Sequence, residues 1–178
     1  HTFTFANAVH QGLRRSPTAE LTRGVFDAAM SVYLDRFLNI PAARVPEPNG
    51  KVADPKAALV ELSPLLNQQQ QVNQAGELVA RYLYGGGAPE RLLEVMGGLL
   101  LREDRDFHTI QTMETAFRQY ALLKGTPASV HVLVAAARYL AAHAPTVRRQ
   151  GQTYQIALRL HRGESLFEEP EESRSQPK

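Results

Sequence analysis

The sequence predicts an all-α fold, an irregular globular bundle of about seven helices. Three observations predict it. Apolar residues recur at helical spacing, as in Leu21, Val25, Ala28 and Val32, with Phe26, Tyr33 and Phe37 alongside, and again in Val130, Val134, Ala137 and Ala141 beside Leu133 and Leu140. Proline and glycine fall where helices start and stop. No stretch shows the apolar–polar alternation of a half-buried strand.

The elements follow in order. A first helix spans about 2–14, with Phe5, Val9 and Leu13 as its apolar line. Ser16-Pro17 opens a second over about 17–38, since a hydroxyl caps and Pro fits the first helical position. The stretch from Asn39 to Ala53 holds Pro41, Pro46, Pro48 and Gly50 and predicts an irregular loop. Asp54-Pro55 starts a third helix over about 55–84, interrupted at Pro64, and Gly85-Gly86-Gly87 ends it. Leu65, Leu66, Val72, Val79 and Leu83 mark its buried side. Helices over about 89–102, 105–124, 127–143 and 146–161 follow Pro89, Asp104, Pro127 and Pro145, the last despite Gly151. Uneven spacing of the prolines argues against a helical repeat. Residues 1–162 are expected to form one helical domain, and 163–178, rich in Glu, Ser and Pro, a flexible acidic tail.

Composition narrows the function. The chain has 178 residues, 43% hydrophobic and 21% charged, as an ordinary soluble domain does. Lys and Arg exceed Asp and Glu by two, 20 against 18, and are scattered, so no basic stripe invites nucleic acid. With no Cys the chain can form no disulfide, thiolate metal site or Cys nucleophile. No apolar run approaches the roughly 20 residues that span a bilayer, so no membrane contact and a cytoplasmic location are expected. The start at His1 instead of Met is what a fragment or processed form would show.

Candidate chemistry concentrates in Arg102–Glu114. At about 100° per residue, Asp104, His108, Gln111 and Thr115 share one stripe. Beside it runs an apolar line of Phe107, Ile110, Phe117 and Ala121, on which Glu114 is a carboxylate where Leu or Ala is expected. A carboxylate there has a buried partner or does chemistry. His108 and Glu114 are thus the catalytic candidates, with Gln111 and Asp104 positioned to hold a substrate. His108 with His10 and His1 is a candidate ligand set for iron, manganese or zinc, which imidazole and carboxylate suit. No Glu-x-x-His motif of a di-iron bundle occurs. Gln69, between the apolar positions of its helix, is a further candidate to orient a substrate carbonyl. Structural readings stand beside each: Asp104–His108 and Glu114–Arg118 are i,i+4 pairs, His10 suits a hydrogen-bonded core position, and the Gln-rich run suits a solvated face.

The segments His1-Thr2-Phe3-Thr4-Phe5-Ala6-Asn7-Ala8-Val9-His10, Tyr33-Leu34-Asp35-Arg36-Phe37-Leu38-Asn39-Ile40-Pro41 and Glu103-Asp104-Arg105-Asp106-Phe107-His108-Thr109-Ile110-Gln111 resemble parts of a bacterial helical domain associated with Rieske-type iron–sulfur proteins and, more distantly, with questin oxidase-like proteins. They cover about a fifth of the chain. The resemblance implies a helical domain working with an iron–sulfur redox module, with His1, His10 and His108 as site members. A Rieske cluster needs two Cys, so any cluster would lie outside these residues. Two functions are therefore expected: a helical oxidoreductase-associated domain whose interior His/carboxylate pocket binds a metal ion or small organic substrate, or a non-catalytic helical protein-interaction module in which the same polar residues fix helix register.

Overall fold

The computed structural model describes residues 1–38, 43–47, 54–146 and 149–165. All regular structure among them is helical: α1 (Thr2–Arg15), α2 (Ala19–Asp35), α3 (Pro55–Leu65), α4 (Val72–Tyr84), α5 (Pro89–Arg102), α6 (Phe107–Leu123), α7 (Pro127–Ala142) and α8 (Arg149–His161). The chain divides into a unit ending at Pro145, which holds α1–α7, and a unit beginning at Thr146, whose described helix is α8. No described helix is long and apolar enough to cross a membrane. Most of the expected tail, 166–178, and the loop positions 39–42 and 48–53 lie outside the described residues.

Local chemistry sets the helix ends. Thr18, not Ser16, caps α2 by accepting from the Leu21 amide at 3.2 Å. Asp54 caps α3 by accepting from the Lys56 amide at 2.9 Å, with Pro55 at the first helical position. The expected helix over 55–84 is two helices. Pro64 does not break it but sits in the last turn of α3. The break comes at Leu66–Gln71, where the Gln-rich run supplies no apolar face and Gln70 takes a left-handed φ of 63°. After α4, Gly87 lies under the Tyr82 ring, where a Cβ would come within 2.5 Å of Cζ. That close approach lets the Tyr82 hydroxyl donate to the Ala88 carbonyl at 2.8 Å. Burial pushes the Tyr82 phenol above its usual range.

The core gathers around α7, which packs between α4 and α6, with α3 against α4 and α5 touching α3, α6 and α7. Its fully buried side chains include Leu62, Leu66, Leu78, Val79, Leu92, Met96, Met113, Leu133 and Val134. Each large one contributes about 1.5–3 kcal/mol by leaving water. The apolar line expected of α7 is buried here, through Leu133, Val134, Ala137, Leu140 and Ala141.

At the other side, α1 packs on α6 and carries α2 on its outer surface. Close approach comes from small residues. A Cβ on Gly24 would stand 3.0 Å from Val9 Cγ2, and one on Gly12 would stand 3.5 Å from the Leu21 methyls. The partly buried positions of α2 are Leu21, Gly24, Ala28 and Ser31, a 3-4-3 stripe toward α1. No residue of α2 is buried. The apolar line expected through Val25 and Val32, with Phe26, Tyr33 and Phe37 alongside, is therefore not core. Likewise, of Phe5, Val9 and Leu13 in α1, only Val9 is buried.

Candidate functional site

The polar residues of α1 and α6 meet along the seam between these helices. Asn7 is buried and donates through Nδ2 to Thr115 Oγ1 at 3.2 Å. Its Oδ1 accepts from Gln119 Nε2 at 2.8 Å, and the same amide nitrogen lies 3.4 Å from His10 Nδ1. Thr115, 2% exposed, is the deepest polar group of the set. One turn separates Thr115 from Gln119, and Asn7 and His10 are three apart, so both pairs project toward the seam.

Above this network lies an open groove of about 700 Å³. Its walls are α1, α2 and α6: His1, Thr4, Phe5 and Asn7 from the first, Asp27 and Ser31 from the second, Gln111, Glu114 and Thr115 from the third. Two carboxylates and several amide and hydroxyl groups thus face open solvent, an arrangement fit for a hydrated polar ligand. At one end the His1 ring meets His108 edge-to-face with centroids 4.8 Å apart, and Phe107 lies over His108 at 3.8 Å.

The sequence-predicted residues separate into those this groove unites and those it does not. His1 and His108 are together, and Gln111 and Glu114 share the rim. His10 does not join His108. It is exposed and stands level with Gln119, eleven residues or about 16 Å farther along α6. The expected set of His1, His10 and His108 is therefore not one site, and no group of three His, Cys, Asp or Glu fit to hold a metal occurs among the described residues. Asp104 stands before α6, because Asp106 is the cap and accepts from the Thr109 amide and hydroxyl, both at 2.8 Å. The expected i,i+4 register with His108 does not exist. The two bonds from Thr109 hold the Asp106 carboxyl below the usual carboxylate range. Gln69 is exposed in the turn between α3 and α4, with its carbonyl accepting from the Gln71 side chain at 3.1 Å.

Glu114 is half-exposed and paired with Arg118 one turn on. Its anomaly disappears because, of the expected apolar line, only Phe117 packs against the core. The face of α6 that enters the core is Thr109, Met113, Ala116 and Tyr120, while Phe107 is 61% and Ile110 47% exposed. The buried carboxylate of this region is Glu103, held at 2.9 Å by Arg102, which also donates to the Ser63 hydroxyl at 3.1 Å and so ties α5 to α3. Gln119 was missed. Its only sequence signal is the four-residue spacing from Thr115. No family model matches the chain, nor does any curated protein or solved structure.

Proposed function

We propose that this chain is a helical protein-interaction module. One observation carries the reading: α2 and the turn that follows it present a continuous apolar stripe to solvent. Phe26, Met30, Tyr33 and Phe37 recur at 4-3-4 spacing and are 72, 55, 49 and 65% exposed. Leaving such side chains in water forfeits the hydrophobic stabilisation that burial gives, and contiguous exposed apolar patches mark interaction surfaces. The Asn7–Thr115–Gln119 network supports the same reading. Satisfied hydrogen bonds between α1 and α6 fix the register of the helix that carries α2.

The oxidoreductase-associated reading rests on the His1–His108 pair. Two imidazoles supply two of the three or four protein ligands that a zinc or iron site takes. On the interaction reading, metal analysis of the purified chain returns less than one equivalent of iron, manganese or zinc. Retention of one equivalent, lost in His108→Ala, would favour the metal site.

The docking face is tested with an environment-sensitive apolar dye in dilute solution. Phe26→Gln, Met30→Gln and Phe37→Gln together should abolish most dye binding at unchanged helix content, because Gln is as good a helix former as the residues replaced. Undiminished dye binding, or a variant that no longer folds, would overturn the reading.

A further inference from the structure

The interaction reading leaves open what covers α2, and the inference that follows rests on that reading. We propose that the occupant is a second copy of this chain, joined through α2 against α2 about a two-fold axis. The area fits. Taking an aromatic side chain as about 200 Å², the exposed fractions of Phe26, Tyr33 and Phe37 leave roughly 370 Å², and Met30 and Leu34 raise the apolar stripe to on the order of 500 Å². A standard interface buries about 800 Å² per partner, somewhat over half of it apolar, or roughly 450 Å². The stripe of one helix therefore supplies the apolar content of one complete interface.

The pattern fits as well. A 4-3-4 repeat is the spacing of a helix-pair seam, in which side chains of one helix enter gaps on the other. In a two-fold pair the same patch must serve both sides, and α2 presents knobs (Phe26, Met30, Tyr33), continued by Phe37 in the turn after it, with the small Thr22 and Ala29 beside them. Aromatic residues and Met are the types enriched in interface cores. Charge is compatible. Three acidic residues (Glu20, Asp27, Asp35) against two basic ones (Arg23, Arg36) leave an excess of one negative charge over α2 and its cap, so two copies meet without strong repulsion. The same balance disfavours a membrane surface, which selects helices with a Lys/Arg-rich polar face.

Sedimentation equilibrium of the intact chain over a wide concentration range tests this. Twice the chain mass is expected at high concentration, reverting to the single mass on dilution, with Phe26→Glu monomeric throughout and its helix content intact. Because the chain has no Cys, Met30→Cys alone provides a second readout that needs no disruption of the interface: mild oxidation should yield a covalent dimer, while Glu94→Cys on the exposed side of α5 should not. A wild-type chain that stays monomeric yet binds the apolar dye through α2 overturns the second copy and leaves the docking face standing. A monomer that binds no dye overturns both. A dimer that survives Phe26→Glu and fails to cross-link at Met30→Cys overturns the proposal by placing the interface elsewhere.

Discussion

Replacing Thr115 by Val tests whether the seam between α1 and α6 is held by hydrogen bonding or by shape. Val keeps the size of Thr and removes Oγ1, the acceptor of Asn7 Nδ2 at 3.2 Å. Asn7 borders the open groove but is only 7% exposed, so water replaces the partner at most incompletely. An orphaned buried donor costs about 1–3 kcal/mol. The bond from Gln119 to Asn7 Oδ1 is untouched and keeps the amide in place, which favours the full cost over relaxation. Thr115→Ser is the matched control. It keeps the hydroxyl and loses one buried methyl, about 0.8 kcal/mol. Urea unfolding of the three proteins, compared at equal m-values, should order stability as wild type, then Ser, then Val. A Val variant within about 0.5 kcal/mol of wild type, with Ser the weaker, would mean that shape alone holds the seam.

Three further outcomes follow from the packing of α4, α6 and α7. Met113→Ala should cost about 2–5 kcal/mol because Met113 is 1% exposed, whereas Glu114→Gln next to it should stay within about 0.5 kcal/mol; chemical denaturation separates them. Asp106→Ala should lower the melting temperature near neutral pH through loss of the α6 cap. The folded Asp106 carboxyl is held below its unfolded value, so its contribution is present above the usual carboxylate pKa and is lost as pH falls through the folded value; the difference between wild type and variant should shrink in melts below about pH 4. Gly76→Ala places a Cβ 2.5 Å from Arg138 Nε and should break the Arg138 Nη2 bond to the Arg44 carbonyl, now 2.9 Å. Melts should show a net loss of about 1–3 kcal/mol despite the better helix propensity of Ala.

The class of the fold was legible because capping and periodicity are local. Asp54-Pro55 and Thr126-Pro127 mark helix starts that the backbone adopts. The split at Leu66–Gln71 was less so, since Pro64 is a louder signal than a Gln-rich run, yet a Pro in the last turn of α3 does not end the helix there. The site was misread in register. Phe107 and Ile110 are more apolar than Thr109 and Ala116, yet they lie outward, and of the expected line only Phe117 packs against the core. What decides is the neighbour: α7, with Ala136, Ala137 and Ala141 buried, packs on α6, where Ala116 is fully buried, and α1 presents Asn7 to Thr115. The same cause hid α2. Its glycine and alanine face meets α1, so the aromatic stripe is left outward. Local sequence records that a helix is amphipathic and not which side its partner lies on.

If α2 offers its apolar stripe to a partner while the polar seam beneath it holds α1 on α6, the two surfaces respond oppositely to substitution. Parallel thermal melts in dilute solution of the triple Phe26→Gln, Met30→Gln, Phe37→Gln variant and of Thr115→Val test it most directly. The triple variant should melt with wild type, within about 2 °C, while Thr115→Val should melt roughly 2–12 °C lower, since an orphaned donor costs about 1–3 kcal/mol and 1 kcal/mol is worth about 2–4 °C in a chain of this size. A triple variant that melts far below wild type, with Thr115→Val unchanged, would instead make the α2 stripe part of the folded core and the seam dispensable.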